Sequence, residues 1–419
     1  MHRCTGMQEG GRGSQVAVLD TIHGAAVIAR KMVESGLQAE AFEVYHHNPD
    51  LSSFDLIVSP VHLSPHNPAL EKARREGKGK AVVSHHQAVG DLLRQCSPAD
   101  EIFEVTGTHS KTSTALLLAL ILSPHRKVIS HTTRGLEIWQ DGRSAILEKG
   151  LSIAPANVIR AVQAAEDSGV ASLICEVSLG GTGLADYGIL TSLSGDYMIA
   201  SGSKWASTAK LQMLSLAKKE MKFIADRETG ISADHPFGIG SGIYACPDRL
   251  VLGKEEVILD LGPDLDFPAY QTAISAASAA ANAAGLGCRD IAEALYGFDG
   301  FPGRMKIRRL GHQTIFDCSN SGLKVRDVQR ALDRARGSDL AAVVGEDSKT
   351  VCEGMDIPAL SDLLRRRRGE LSRLILVGER LQSLAEELGA EAAVDLEEGL
   401  EKAQKSCPKR LLSSVKCFR

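Results

Sequence analysis

The sequence predicts an α/β protein of three successive strand–helix regions, with a phosphate-binding loop in the middle one. Three observations carry this. Short apolar runs alternate with helix-spaced apolar patterns from Val16 to about residue 95, again from Ile102 to Gly285, and again beyond Arg304. One junction, Glu104 to Thr114, has the residue types of a phosphate loop between a strand and a helix. Polar or glycine-rich breaks at residues 96–100 and 297–304 divide a chain that, at 419 residues, is too long for one ordinary domain. The expected domains are residues 1–98, 99–300 and 301–419.

In order, residues 16–19 read as a buried strand and 25–35 as a helix, with Val27, Ile28, Met32 and Val33 on one face and Gly36 as its stop. Strands are expected at 41–44, 56–61 and 80–84, with helices at 69–75 and 88–95. The second region should hold strands at 103–105, 173–177 and 189–193, a helix at 112–122, and a close-packing alanine-rich helix at 273–285. The third should hold strands at 314–316, 340–344 and 374–377. The arginine run at 365–368 reads as a solvated helix face rather than a nucleic-acid patch.

Composition narrows the function. Lys plus Arg number 48 against 52 Asp plus Glu, a net charge of −4, so no cationic field invites nucleic acid or anionic lipid. Aromatics at 4% are too few for base-stacking platforms. The longest fully apolar run, 115–122, is far shorter than the roughly 18–20 residues that span a bilayer. The first fourteen residues lack the apolar stretch of a signal peptide and read as a loose tail. The nine cysteines are scattered without C-x-x-C spacing, which points to free thiols in a reducing cytoplasm rather than a metal cluster. The expectation is a cytoplasmic enzyme with no nucleic-acid or membrane partner.

The chemistry concentrates at Glu104-Val-Thr-Gly107-Thr108-His109-Ser110-Lys111-Thr112-Ser113-Thr114. Backbone N–H groups of such a loop and of the helix start converge on one point and attract phosphate. Lys111 supplies charge for the β- and γ-phosphates, and the Thr112 hydroxyl can ligate Mg²⁺. A threonine-rich helix cap would explain Thr108 but not Lys111-Thr112 in this register. Val105 stands where the usual phosphate loop has its first glycine, and Ser110 where it has the glycine before lysine.

At these residues the chain resembles the Mur ligase family, whose loop reads G-T-x-G-K-T/S. Cys175-Glu176-Val177-Ser178 resembles the family's strand-end acidic motif, whose glutamate binds Mg²⁺. Residues 191–214 are similar to the stretch ending in A-K, which places the family's modifiable lysine at Lys210. Phe301-Pro302-Gly303-Arg304-Met305 resembles the junction whose arginine meets ATP, and Ile315-Phe316-Asp317-Cys318-Ser319-Asn320 the region whose aspartate contacts the ribose. The resemblance implies three domains: a substrate domain, a central ATPase and a Rossmann-like lid. It implies ATP and Mg²⁺ as cofactors and a carboxylate activated as acyl phosphate. The implied catalytic residues are Lys111, Glu176 and Lys210. Nucleotide contacts fall to Gly107, Thr108, His109, Ser110, Lys111, Thr112, Ser113, Gln271, Arg304 and Asp317, and metal ligands are Thr112 and Glu176. Two departures stand out. Tyr197, after Asp196, replaces the family's metal-binding histidine, and Tyr270-Gln271-Thr272-Ala273 replaces its adenine-side H-N-x-x-N.

Histidines cluster in the first region. Of thirteen, His2, His23, His46, His47, His62, His66, His85, His86 and His109 lie in the first 109 residues, and most follow predicted strand ends. Ligands of open α/β sheets sit beyond the strand C-termini, so His23, His62, His85 and His86 are candidates to bind substrate. The N-terminal pattern and C-E-V-S-L-G-G-T-G resemble the Mur-like branch that acts on a nickel tetrapyrrole. That implies a small-molecule carboxylate substrate of this kind and an intramolecular, ring-closing capture of the acyl phosphate. An amide-forming ligase and a nucleotide-gated tetrapyrrole carrier are the alternatives.

Overall fold

The first strand, Gln15–Leu19, sits inside a parallel four-stranded sheet ordered Gln38–Phe42, Gln15–Leu19, Leu56–Ser59, Ala81–Ser84. The computed structural model describes residues 14–76, 81–347 and 354–418. The expected N-terminal tail, except Ser14, and Lys80 of the expected fourth strand lie outside them. The strand expected at 41–44 forms earlier, because pairing with Gln15–Leu19 sets Leu19 against Phe42 and ends there. The helix expected at 88–95 is His85–Leu93, since Ser84 Oγ accepts the Gln87 N–H and caps it at the histidines.

The described chain forms two compact units. One holds the chain to Ile258 with Gln271–Ala294, and the other holds Leu259–Tyr270 with everything from Leu295. In the first unit the four-stranded sheet and the central sheet share a core: Val16, Ile28, Met32 and Leu92 pack with Ala156, Val158 and Val162. The approach is close enough that a Cβ on Gly90 would stand 1.9 Å from the Thr182 carbonyl oxygen. The break at 96–100 therefore joins two sheets inside one unit.

The central sheet has eight strands. His235–Phe237, Lys222–Asp226, Tyr187–Leu190, Glu101–Thr106, Ser172–Glu176 and Val128–Thr132 run parallel in that order, and Gly135–Gln140 and Arg143–Glu148 close the edge antiparallel. That edge hairpin was absent from the sequence expectation. Its signal was present: Asp141 (φ 50°) and Gly142 (φ 72°) form the two-residue turn that right-twisted strands prefer. The helix Lys111–Leu122 behind the phosphate loop is almost wholly buried.

The second unit carries a six-stranded sheet ordered Lys306–Leu310, Gln313–Asp317, Arg410–Lys416, Leu340–Glu346, Arg373–Val377, Glu391–Ala393. Only its first pair is antiparallel. The chain's last strand inserts into the middle of this sheet. Along the arginine run, Arg365 is exposed and pairs with Glu387 and Asp362, as a solvated helix face should, whereas Arg367 is only 13% exposed and pairs with Asp333 and Glu370, so the expectation fails at that position. Cys175, Cys246, Cys288, Cys318, Cys407 and Cys417 are free, but Cys96 is disulfide-bonded, so the expectation of free thiols throughout fails at that position. No described helix is long and apolar enough to cross a membrane.

Candidate functional site

The candidate phosphate loop leaves strand Glu101–Thr106 and enters helix Lys111–Leu122 through two left-handed residues. Gly107 (φ 150°) has Thr191 Oγ1 2.1 Å from where a Cβ would stand, so only glycine fits. Ser110 (φ 64°) is the N-terminal cap residue and holds a conformation that glycine adopts more cheaply. The loop is pinned from the next strand's end. Thr108 N donates to Ser192 O (2.9 Å), Thr108 Oγ1 to Ser194 O (2.8 Å) and Thr191 Oγ1 to His109 O (2.6 Å). His109 Nε2 meets Ser194 Oγ at 2.8 Å. Thr191 and Ser194 thus shape the loop, a role that their position in the 191–214 run only hinted at.

Thr112 and Glu176, 64 residues apart, come together: Thr112 Oγ1 donates to Glu176 Oε2 at 2.7 Å, and Thr133 N reaches the same oxygen at 3.4 Å. Glu176 is buried and accepts from the Thr112 hydroxyl and the Thr133 amide. A buried carboxylate beside a hydroxyl, at the start of a helix, fits a hard divalent cation with oxygen ligands. Behind the loop, Glu104 is buried and burial pushes its carboxyl up. Its oxygens accept from Thr182 N at 3.0 Å and from the Thr182 hydroxyl, which fixes the glycine-rich loop after Glu176.

Lys210 is buried at the end of helix Ala206–Lys210 with Nζ 5.1 Å from the Tyr197 ring centroid. Asp196 accepts from Tyr197 N and Ser207 N, both at 2.9 Å. Gln271 donates to Ala245 O at 3.2 Å. In the second unit, Asp317 is buried and accepts from Gly303 N (3.0 Å) and Ser413 Oγ (3.1 Å). Arg304 donates to Asn320 Oδ1 at 3.0 Å, so Asp317 and Asn320 together shape the turn that carries Arg304.

The candidate histidines separate into two groups. His23 and His62 converge on Asp20, which is fully buried and has φ 79° just beyond the first strand. Asp20 Oδ1 accepts the Ile22 and His23 N–H groups, each at 3.1 Å. Around Oδ2 stand His23 Nδ1 (2.7 Å), the Tyr45 hydroxyl (2.9 Å) and His62 Nε2 (3.1 Å). Burial would raise the Asp20 carboxyl, but the bonds from His23 and His62, with Tyr45, outweigh it and hold it well below the usual carboxylate range. Loops after three different strands supply these residues. Asp20 and Tyr45 escaped the sequence reading, although Asp20 directly follows the strand.

His85 and His86 are instead buried at the start of their helix. His85 Nε2 donates to Leu19 O (2.9 Å) and His86 Nε2 to Ser178 O (2.7 Å). Burial pushes both imidazoles down to about 4. The structure therefore places His23 and His62 part-exposed around Asp20 at the strand end and buries His85 and His86.

Residues 307–417 match the family described as "Coenzyme F430 synthetase CfbE, C-terminal domain". The chain is 36% identical to the coenzyme F(430) synthetase of Methanosarcina acetivorans over 469 aligned positions, covering 97% of this chain and 99% of that protein. Among solved structures, a bifunctional folylpolyglutamate synthase/dihydrofolate synthase with Mn, AMPPNP and L-glutamate bound superposes with a TM-score of 0.58 at 17% identity, over 80% of this chain and 91% of that one. MurF from Acinetobacter baumannii superposes with a TM-score of 0.56 at 16% identity, over 89% of each chain. At these identities the structural likeness speaks for the fold.

Proposed function

The chain belongs to the coenzyme F(430) synthetase family, and on that premise we propose that it spends ATP to activate a carboxylate of a nickel tetrapyrrole and closes a carbocyclic ring with it. The substrate carboxylate attacks the γ-phosphorus and ADP leaves. A carbon nucleophile of the same molecule then adds to the acyl phosphate, the tetrahedral intermediate expels phosphate, and the carbon gives up its proton. The net change is one ATP to ADP and phosphate, and the loss of one water from the acid.

The Thr112–Glu176 contact at 2.7 Å, beside Lys111 at a strand–loop–helix junction, carries this reading. The loop amides of residues 107–113 and the Lys111 ammonium would hold and neutralise the transferring phosphoryl group. Thr112 and Glu176 would hold Mg²⁺, which when bound offsets phosphate charge. Lys210 would act as an ammonium rather than a carbamate, because the face of the Tyr197 ring favours a cation. Gln271 and Arg304 would serve nucleotide binding, with Asp317 setting the turn that carries Arg304. His23 and His62 would face the tetrapyrrole, with His85 and His86 supporting the loops beneath.

The deciding experiment supplies the purified protein with an acidic, ring-open nickel precursor, ATP and Mg²⁺. The expected result is one ADP per product and a product mass lower by one water. ADP release that requires an added amine would make it an amide-forming ligase, and tight binding without ADP release would make it a carrier.

A further inference from the structure

We propose that Asp20, His23 and His62 form a divalent-cation site of their own, at the C-terminal edge of the first sheet and distinct from the phosphate loop. One donor atom of each lies within 4.8 Å of the others. Asp20 Oδ2 is crowded: His23 Nδ1, the Tyr45 hydroxyl and His62 Nε2 stand 2.7, 2.9 and 3.1 Å away, and the last two are only 3.2 Å apart. An oxygen with two lone pairs accommodates three such donors poorly. A cation in place of the two imidazole protons resolves the crowding. Bonds of about 2.0–2.1 Å in a tetrahedral set put ligand atoms about 3.4 Å apart, so His23 Nδ1 and His62 Nε2, now 2.7 and 3.1 Å from Oδ2, would move out by under about 1 Å.

The surroundings have the features of a held site. The Ile22 and His23 amides fix Oδ1, and Tyr45 braces Oδ2, as outer partners of ligating carboxylates do. Three protein ligands leave at least one position open, and both imidazoles are part-exposed at 28%. Two imidazoles with one carboxylate suit Zn²⁺, Co²⁺ or Ni²⁺, whereas Mg²⁺ keeps to oxygen ligands. Resting on the function proposed above, the open position would take a carboxylate of the anionic substrate. The cation site itself does not depend on that reading.

The test uses the full chain, stripped with a chelator and saturated with Mg²⁺ and ATP so that the phosphate loop is occupied. Co²⁺ is titrated by visible absorption, and bound Zn²⁺ is counted by elemental analysis. The expected result is one equivalent in the wild type, with affinity weakened at least about tenfold in His23→Gln and in His62→Gln and unchanged in His46→Gln. Thermal unfolding verifies that each variant is folded. Wild-type protein that takes up neither metal, or histidine variants that bind as tightly as wild type, would overturn the proposal. Neither outcome touches the ADP and product-mass readout of the proposed reaction.

Discussion

Two candidate sites in the first unit sit at the C-terminal ends of parallel strands, yet they are assembled differently. The phosphate loop is made of consecutive residues, with Glu176 added from the neighbouring strand. The Asp20 crevice gathers Asp20, His23, Tyr45 and His62 from the loops after three strands. A phosphate is bound largely by backbone amides, which a short motif can aim by itself. A crevice for a side-chain-recognised ligand needs convergence, which only sheet order provides. The first site therefore leaves a mark in the sequence, and the second leaves a bias in composition.

The sharpest way to separate the two is Lys111→Ala. Losing a charge contact to the transferring phosphoryl group should lower turnover about 10²–10³-fold, or ~3–4 kcal/mol. Optical titration with the nickel precursor should give wild-type affinity. If precursor binding weakens as well, the two sites are not separate.

Acid should strike beneath the crevice before it strikes the loop. His85 and His86 are held neutral, with folded values pushed from 6.5 down to about 4 by burial. The unfolded chain takes up protons first as pH falls, so their contribution is intact above about 6.5 and fades towards 4. Between pH 6.5 and 5.5 the pair should cost about 2 kcal/mol. Denaturant unfolding of His86→Gln, which cannot titrate, should show a shallower acid loss. An identical slope would return the acid sensitivity to other groups.

Glu176→Gln sharpens the comparison from the other side. Removing one anionic oxygen from a hard cation should raise the half-saturating Mg²⁺ concentration by about tenfold, ~1.4 kcal/mol, with precursor affinity unchanged. An unaltered Mg²⁺ titration would remove Glu176 from the ligand set. For Lys210, turnover should not respond to added bicarbonate, and the intact mass should show no carbamate. Stimulation by bicarbonate would reverse the assignment drawn from the Tyr197 ring. The smallest effect belongs to Ser110→Gly. It relieves a left-handed serine and adds chain entropy to the unfolded state, two opposing terms of about 1 kcal/mol. Stability should shift by under about 1 kcal/mol and turnover should stay within threefold. A larger loss of activity would give the Ser110 hydroxyl, near His109 Nδ1, a direct role.

The sequence by itself determined the alternation of strands and helices and the strand–loop–helix junction around Lys111-Thr112, because periodicity and loop chemistry are local properties. It pointed to Glu176 only through the resemblance of Cys175-Glu176-Val177-Ser178 to the Mur ligase family's strand-end acidic motif. Tertiary structure alone decided the rest. The last strand, Arg410–Lys416, lies between two earlier strands, and no pattern in those seven residues names its neighbours. His62 and His85 look alike in sequence, each just after a strand. Ser84 caps a helix that buries His85 against Leu19 O, while the longer loop after Leu56–Ser59 brings His62 to Asp20. Which histidines face the crevice is set by where the chain turns after each strand, and that depends on packing between segments distant in sequence.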